Sequence, residues 1–350
     1  MPVMTTHIDG SQGEGGGQIL RTSVGLAAAL GTPVHLTGIR AGRQRPGLRP
    51  QHLAAVRAAA AVCGAETVGA EIGSMELTFT PGAPRAGKYR FDIGTAGSTT
   101  LVLHTVLPAL MVADGESDVT VTGGTHNPLA PSFEHFRDVF LPLATVANLH
   151  ACAALERAGF YPSGGGEVRF QVLGITSPDH AEPLRFTERG ELKRIEGLSA
   201  ASYCLPPHII ERQANQMDKR LRKAGHRPTL EKATWETFSP GTTVFLRAVF
   251  CRTVAGWFAL GARGKPAERV ADEAVDDLLA FLDTPGVVDA HTADQLLVLT
   301  ALSSRESRYV AERVTDHLQT NANVLTQLTR RPVDILPGEG ESATVVVHAQ

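Results

Sequence analysis

One pattern of secondary structure, a helix, a strand, a second helix and further strands, occurs three times along the chain and limits the possible folds. Apolar residues at helical spacing predict the two helices of each unit. They are predicted at 18–30 and 49–64, at 99–112 and 131–146, and at 294–304 and 317–330. Any α+β protein offers some matches of this kind, but three in sequence indicate a repeat. We predict an α+β fold with α/β-type repeats, in which an antiparallel or mixed sheet packs on helices three times.

The repeat is interrupted between its second and third copies, at roughly 184–280. This stretch is richer in charge and has helix and strand patterns of its own. The chain has 350 residues, more than the roughly 250–300 at which a single core stops growing. We therefore predict a large domain from 1–183 and 281–350, interrupted by a small α/β domain at 184–280.

Composition narrows the class of protein. There are 33 Lys and Arg against 36 Asp and Glu, a net charge of −3, so any nucleic acid must be held by a local cluster of arginines. The four cysteines form no CxxC pair, which disfavours disulfides and structural zinc. The sequence has no export signal and no apolar run of membrane-spanning length. We expect a cytoplasmic protein that does not bind membranes.

His317 lies where an amphipathic helix is predicted to begin. Its neighbours include the cap-forming residues Thr315, Asp316, Thr320 and Asn321. A helix N-terminus presents free N–H groups and partial positive charge, which suits a phosphate. A neutral imidazole there has the chemistry to attack phosphorus. On its own, a histidine at this position is better explained as a capping or solvated side chain.

Two segments near the N-terminus have the composition of phosphate-binding loops. In 8–21, glycines surround Glu14, and Arg21 ends the segment. The Glu14 side chain is a lone carboxylate of the kind that binds a hard cation. In 38–53, an Arg-rich and Pro-containing loop precedes Gln51 at the start of the next helix. The segment 8–21 matches neither the P-loop nor the dinucleotide-binding pattern. A structural turn and a solvated charged loop remain the alternatives.

Seven ordered motifs together resemble the RNA 3′-terminal phosphate cyclase family from end to end. They are DGSQGEGGGQILR, IRAGRQRPGLRPQHL, GTAGSTTLVL, GGTHNPLAP, GFYPSGGGE, ADQL and DHLQTN. The resemblance implies three units, each of two helices on a four-stranded sheet, and a thioredoxin-like insert. The interruption of the repeat falls where that family carries its insert.

The resemblance also implies an activity. An enzyme of this family is a nucleotidyl-transferring ligase that uses ATP and a divalent metal, Mg²⁺ or Mn²⁺. It converts an RNA 3′-phosphate end to a 2′,3′-cyclic phosphate through histidyl-AMP and RNA(3′)pp(5′)A intermediates, and it releases pyrophosphate and AMP. The implied partners are therefore ATP and RNA with a 3′-phosphate end.

Residue by residue, the resemblance makes His317 the adenylylated nucleophile and Glu14 the metal ligand. The implied ligands of the ATP and RNA phosphates and their neighbours are Arg21, Arg40, Gln51, Asp294, Gln295 and His104. The family commonly has Gln at the position of His104. The implied adenine pocket is formed by Pro131, His135 and His291, where the family has aromatic and apolar side chains.

Two other classes of function remain open from the sequence. One is a non-catalytic relative that acts as a scaffold in ribosome assembly, which the intact DHLQTN motif disfavours. The other is a transferase of the enolpyruvyl type, which also has repeated helix–sheet units but would have no use for His317. The basic segment 212–227 is either an RNA contact or a solvated face. The oligomeric state is not predicted.

Overall fold

The structure is a computed structural model that describes residues 5–13, 15–175 and 181–350. Its first unit is a four-stranded sheet covered by two helices. The strands, in sheet order, are β1 (Thr6–Asp9), β2 (Val34–Thr37), β4 (Leu77–Thr80) and β3 (Glu66–Val68). The helices are α1 (Gln18–Leu30) and α2 (Pro50–Cys63). Each helix ends at a glycine in the left-handed conformation, Gly31 and Gly64.

The second unit has the same organisation. Its strands, in sheet order, are β5 (Lys88–Asp92), β6 (Glu116–Gly123), β8 (Gly166–Leu173) and β7 (His150–Arg157). Its first helix is α3 (Thr99–Met111). Its second helical segment comprises α4 (Phe133–His135), a π-helical turn (Phe136–Phe140) and α5 (Leu141–Ala144), followed by a 3₁₀ turn (Thr145–Ala147).

A short strand, β9 (Arg185–Phe186), precedes a compact α/β part with a core of its own. This part contains β10 (Leu192–Ser202), α6 (His208–Lys223), β11 (Thr229–Trp235), β12 (Thr242–Phe250), β13 (Val254–Leu260) and α7 (Ala267–Leu282). The sheet order is β11-β10-β12-β13, with only β10 and β11 parallel.

The three arginines of α6 are paired with carboxylates within this part of the molecule. Arg212 pairs with Glu268 of α7 at 2.6 Å, and Arg220 pairs with Asp272 of α7 at 3.1 Å. Arg222 pairs within α6. These ion pairs favour a solvated charged face over an RNA contact for α6.

The last part of the chain forms the third unit. It contains α8 (Ala290–Thr300), β14 (Ser307–Ala311), α9 (Asp316–Thr329), β15 (Val333–Pro337) and β16 (Ala343–Val347). Strand β9 joins its sheet by parallel pairing with β14, so the sheet order is β9-β14-β16-β15.

Three of the sheets share one strand order and one pattern of directions. In each, the first two strands are parallel, the fourth strand lies antiparallel beside the second, and the third strand forms the opposite edge. The structure thus confirms a mixed α and β class built on four-stranded sheets. In the described ranges, no helix is long and apolar enough to span a bilayer.

Helix α1 lies at the centre of the large core and packs against α2, α3 and α9. Small residues allow this close approach. At Gly25, for example, a Cβ atom would lie 2.6 Å from the Thr105 carbonyl oxygen of α3. The packing brings the start of α1 beside the start of α9, which is where Arg21 and His317 are found.

Candidate active site

An open cavity of about 640 Å³ lies where the N-terminal ends of α1, α2 and α9 meet. It is lined by Gly17, Arg21, Arg40, Arg43, Gln51, His52, Leu101, Asn127, Pro128, Leu129, Ala130, Thr315, Asp316 and His317. Three helix N-termini and several arginines give the cavity the character of an anion site. Four of the predicted site residues, Arg21, Arg40, Gln51 and His317, are therefore brought together from three distant segments.

A second open cavity of similar volume, also about 640 Å³, lies on the exposed face of the second sheet. Its Asp118 carboxylate is paired with Arg169 at 2.5 Å. Because this cavity contains none of the predicted nucleophile or phosphate ligands, we assign the chemistry to the cavity at the helix N-termini.

His317 is the second residue of α9, and its position is fixed by the cap of that helix. The Thr315 hydroxyl accepts a hydrogen bond from the Leu318 amide at 2.9 Å. The same hydroxyl donates to the Asp294 carboxylate at 2.5 Å. Burial lowers the pKa of His317 below its ordinary value of 6.5, and the Asp294 charge partly opposes this shift. The imidazole is therefore neutral, and nucleophilic, at neutral pH.

Asp294 and Gln295 both lie in α8 and are buried. Burial raises the pKa of Asp294 to about 7, and the hydrogen bond from Thr315 opposes this shift. Through Thr315, the Asp294 carboxyl is thus connected to the start of α9, which carries His317. With this pKa, it can both accept and release a proton near neutral pH. Gln295 lines a small cleft behind the cavity together with Arg21 and His104.

Asn321 of α9 connects this helix to α1 and α8. Its role was not identified from the sequence. Its carbonyl oxygen accepts hydrogen bonds from Thr22 Oγ1 at 2.6 Å and Gln18 Nε2 at 3.2 Å. Its amide group donates to the Asp294 backbone carbonyl at 2.7 Å. Gln18 in turn accepts from Arg21 Nη2 at 2.7 Å. The polar spacing DHLQTN was the available signal, but it does not reveal these distant partners.

Arg21 and His52 form one wall of the cavity. Arg21 gives this wall its positive charge, and both side chains are partly desolvated. Burial, followed by the charge of Arg40, lowers the pKa of Arg21 to about 10, so Arg21 stays charged at neutral pH. Burial and four neighbouring arginines lower the pKa of His52 to about 3. His52 therefore contributes a neutral ring. Gly17 lies against both side chains, and a Cβ atom there would be 2.8 Å from Arg21 Nη1.

Arg40 both lines the cavity and holds its own loop. Its Nη1 donates to the carbonyl oxygens of Arg45 at 2.8 Å and Gly47 at 2.9 Å. The residue has a φ of 55°, which is unusual for a non-glycine residue. Strained backbone of this kind is maintained by such contacts and is common at functional sites.

Gln51 and Asn127 are oriented by backbone groups of the 92–100 turn. The Gln51 carbonyl oxygen accepts from the Ser98 amide at 2.9 Å, which leaves its amide group as a donor on the cavity side. Asn127 donates to the Ala96 carbonyl, and its own carbonyl oxygen is buried without a hydrogen-bond partner. Asn127 is a second site residue that the sequence did not single out, although it belongs to GGTHNPLAP.

The residues of the predicted adenine pocket are adjacent to the cavity but do not line it. Pro131 follows the lining residue Ala130, and its carbonyl accepts from Thr100 at 2.9 Å. The rings of His135 and His291 are 5.8 Å apart and nearly perpendicular. His291 is one helical turn before Asp294 and Gln295 on α8, so it shares their face of the helix.

His104 lies behind the cavity rather than in it. Its ring packs edge-on against Phe136 and Phe140, with centroid distances of 5.0 Å and 4.4 Å. Burial lowers the pKa of His104 to about 3, so the ring is neutral. Its Nε2 is buried without a hydrogen-bond partner. The structure thus places His104 against an aromatic wall, with contact to the Arg21–Gln295 cleft.

The predicted metal ligand, Glu14, lies outside the described residues. Within 5–13, 15–175 and 181–350, no group of three or more His, Cys, Asp or Glu side chains is arranged to hold a metal ion. A magnesium ion at a phosphate site commonly uses only one or two carboxylates together with substrate phosphates. The described residues therefore do not identify a metal site.

Comparison with known proteins agrees with the motifs. The family model described as RNA 3′-terminal phosphate cyclase matches residues 12–335. The chain is 44% identical to the RNA 3′-terminal phosphate cyclase of Methylococcus capsulatus, over 98% of this chain and 96% of that protein. It is 45% identical to the protein of the same name from Trichormus variabilis, over 91% and 92% of the two chains.

A solved structure of the enolpyruvyl transferase NikO from Streptomyces tendae also aligns with this chain. The identity is 13% and the TM-score 0.28, over 99% of this chain and 65% of that one, which is too low to indicate a shared fold. The family model and the curated relatives, in contrast, each cover more than nine-tenths of this chain. The chain belongs to the RNA 3′-terminal phosphate cyclase family of enzymes, as its motifs predicted.

Proposed function

We propose that this protein uses ATP to convert an RNA 3′-phosphate end to a 2′,3′-cyclic phosphate, with His317 as the nucleophile. One observation carries the proposal: a neutral histidine at a helix N-terminus shares a cavity with Arg21, Arg40 and Gln51. This combination provides a nucleophile for phosphorus together with positive charge for the groups that leave and enter. Membership of the family supports the same reaction.

In the first step, an imidazole nitrogen of His317 attacks the α-phosphorus of ATP, and the bond to the pyrophosphate oxygen breaks. Arg21 and Arg40 stabilise the charge that develops on the phosphates, and Gln51 donates a hydrogen bond. Asp294 lies behind His317, held by Thr315. With a pKa of about 7, its carboxyl is suited to accept the proton that the adenylylated imidazole releases.

In the second step, the RNA 3′-phosphate attacks the phosphorus of histidyl-AMP. The phosphorus–nitrogen bond breaks, and the departing imidazole regains its proton from Asp294. The product is RNA(3′)pp(5′)A, in which AMP has become a leaving group. The vicinal 2′-OH then attacks the phosphorus that is bonded to the RNA 3′ oxygen and loses its proton to solvent. The bridge between the two phosphorus atoms breaks, the cyclic phosphate closes and AMP leaves. The open cavity, about 640 Å³ in volume, has room for the nucleotide phosphates beside an RNA end.

The remaining assignments belong to the same proposal. We assign the adenine base to the region of Pro131, His135 and His291, because it adjoins the phosphate-binding cavity along α8. We assign a divalent metal, Mg²⁺ or Mn²⁺, to Glu14, which the family resemblance supports.

We also propose that the three sheets of identical strand order are copies of one unit, and that a thioredoxin-like domain is inserted between the second and third copies. The order β11-β10-β12-β13, with α6 and α7 covering the sheet, supports this assignment. Strand β9 pairs with β14 of the third sheet. The insertion predicted at 184–280 would therefore begin after Phe186.

The decisive experiment is transfer of label from ATP carrying ³²P at the α-phosphate. Purified protein is incubated with the labelled ATP and Mg²⁺ or Mn²⁺, and one portion is then chased with RNA bearing a 3′-phosphate. Both portions are separated by denaturing electrophoresis. We expect an acid-labile label that the RNA discharges and that His317→Ala lacks. A matched control is His150→Ala, which changes an exposed histidine on β7 that lines the other cavity and should keep the label. No label in the wild type with either metal would refute the mechanism and favour the scaffold alternative.

A further inference from the structure

Three tyrosine and phenylalanine side chains are strongly exposed in the described ranges, and all three lie in loops at the junction of the second unit and the compact α/β part. Tyr161, between β7 and β8, is 72% exposed, and Phe238, between β11 and β12, is 67% exposed. Tyr203, just after β10, is 64% exposed, and its amide donates to the Trp235 carbonyl at 2.8 Å. Single exposed apolar residues need no explanation, but a cluster of exposed rings marks an interaction surface.

The loop that carries Tyr161 is held tightly against the loop that carries Phe238. The Ser163 amide donates to Ser239 Oγ at 2.9 Å, which joins the two loops. Gly165 lies directly against the Phe238 ring, and a Cβ atom at this glycine would clash with the ring. The two exposed rings are therefore presented from one packed junction and not from two independent loops.

Arg157, the last residue of β7, adds a cation to this junction. Its guanidinium carbon lies over the Phe238 ring, 4.9 Å from the ring centroid. Its Nε donates to the Gly165 carbonyl oxygen at 2.5 Å, which fixes the guanidinium there. The side chain is exposed, and it forms no ion pair with the residues that the structure describes. Tyr161, Phe238 and Arg157 together form an exposed platform of two rings and one cation.

The platform adjoins the rim of the cavity at the helix N-termini. His126 and Phe160 are partners in a parallel β-bridge. The residues that follow them are Asn127, which lines the cavity, and Tyr161, which belongs to the platform. The same side of the cavity also presents Leu129, whose side chain is 98% exposed. A chain that leaves the cavity on this side therefore meets exposed apolar groups and then the platform.

Single-stranded RNA is the occupant that this surface fits. If the cavity holds a 3′-phosphate, the preceding nucleotides must leave over its rim. Their unpaired bases stack on aromatic side chains and on arginine guanidinium planes. Glu236 is exposed in the same loop as Phe238 and offsets the charge of Arg157, so the platform is suited to bases more than to phosphates.

We propose that Tyr161, Phe238 and Arg157 bind single-stranded RNA by stacking with the bases that precede its 3′-phosphate. This inference rests on the proposed function, since it assigns the binding surface for the rest of the RNA that enters the same cavity. Because every base has a face that stacks, the platform selects unpaired ends and not a sequence. Phe238 belongs to the compact α/β part, which thereby takes a direct role in holding the substrate.

The test compares two ligands in a His317→Ala background, so that binding is measured without chemistry. Uridine 3′-phosphate occupies the cavity alone, whereas an oligouridylate of about ten nucleotides with a 3′-phosphate also reaches the platform. Phe238→Ala should weaken binding of the oligonucleotide by about tenfold and leave the dissociation constant of uridine 3′-phosphate unchanged. Tyr161→Ala should do the same. Unchanged binding of the oligonucleotide, or an equal loss for both ligands, would overturn the proposal.

Two further variants distinguish stacking from apolar contact. Phe238→Trp keeps an aromatic face and should bind the oligonucleotide at least as well as the parent, whereas Phe238→Leu should bind it as weakly as Phe238→Ala. Full binding by Phe238→Leu would contradict stacking. The matched control is Leu336→Ala, which removes another exposed apolar side chain, on the edge strand β15 of the third sheet. It should leave both dissociation constants unchanged.

Labelling of His317 by ATP requires no RNA, so it separates this inference from the proposed function. It should be the same in wild type and in Phe238→Ala that carries His317. No label in the wild type refutes the adenylylation mechanism, whereas the ratio of the two dissociation constants decides the role of the platform. Light scattering checks the remaining occupant: a lower molar mass of Phe238→Ala in solution would show that the rings pack against a second copy of the chain, which would refute the RNA assignment.

Discussion

Thr22 of α1 donates a hydrogen bond of 2.6 Å to Asn321 of α9, although 299 residues separate them. Because Asn321 also donates to the backbone of Asp294 in α8, one side chain joins the helices that carry Arg21, Asp294 and His317. The distance between the cationic wall and the nucleophile is therefore set by a buried polar contact and by the packing of α1 against α9. Polar contacts of this kind specify a unique arrangement when all their members are satisfied.

Replacement of Asn321 by alanine should impair both stability and catalysis. The change leaves Thr22, Gln18 and the Asp294 carbonyl without their partner, which should lower the free energy of unfolding by about 2 kcal/mol. Labelling of His317 should slow by about tenfold or more, because the nucleophile loses its fixed position. Urea denaturation and single-turnover labelling measure the two effects.

The control is Asn323→Ala, which changes an exposed asparagine on the same helix. It should alter the free energy of unfolding by less than about 0.5 kcal/mol. Similar losses in both variants would show that helix propensity, rather than the buried network, is responsible.

The helices that the sequence predicted best are those whose ends have local signals. The prediction at 18–30 coincides with α1, because Gly31 terminates the apolar pattern in a left-handed conformation. The prediction at 294–304 began too late, since Asp289 caps α8 and the helix starts at Ala290. The prediction at 131–146 missed the π-helical turn Phe136–Phe140, whose position depends on packing against neighbouring rings and not on local spacing.

The residues that line the cavity were recognisable in the sequence as members of separate motifs, but their mutual contacts were not. Glycine- and arginine-rich segments indicated Arg21 and Arg40, and helix-start chemistry indicated His317. The pairing of His135 with Asp289 joins residues 154 positions apart, and no pattern in a single sequence encodes such a separation. Such pairs are determined by tertiary packing, and they emerge only from the structure.

Arg40→Ala should weaken the use of RNA 3′-phosphate and the stability of the loop together. The variant removes positive charge from the cavity and the two hydrogen bonds that hold the Arg45 and Gly47 carbonyls. We expect at least a tenfold higher KM for RNA 3′-phosphate, measured by cyclisation assays, and faster proteolysis within 38–48. Arg45→Ala, which removes an exposed charge from the same loop, should change both quantities far less. Equal effects would mean that only the net charge of the loop matters.

Gly17→Ala should block the cavity without unfolding the protein. The added methyl group would lie 2.8 Å from Arg21 Nη1 and would clash with the His52 ring. Arg21 or His52 must then move, and we expect ATP-dependent labelling to fall by at least tenfold. Gly31→Ala is the control at the other end of α1. Its left-handed φ of 66° makes it cost about 1 kcal/mol in stability, but labelling should persist. Full labelling of Gly17→Ala would exclude this wall from nucleotide binding.

Asp294 should make the stability of the protein depend on pH in a direction opposite to that of an ordinary paired carboxylate. Burial raises its pKa from 3.8 to about 7, so between these values the folded protein keeps a proton that the unfolded chain has released. The stabilising contribution of protonated Asp294 is complete below pH 3.8 and is lost as the pH rises to about 7. Asp294→Asn removes this titration and still offers an oxygen to Thr315.

The free energies of unfolding of the wild type and of Asp294→Asn should be compared by urea denaturation from pH 4 to pH 8. Buried histidines contribute the opposite slope: the pKa values of His52 and His104 are lowered from 6.5 to about 3, so their penalty is relieved as the pH rises to 6.5. The difference between variant and wild type isolates Asp294. It should shift in favour of the variant up to about pH 7 and then level off. A difference that is flat over this range would show that Asp294 is ionised throughout, and that it acts on His317 as a fixed negative charge instead of a proton acceptor.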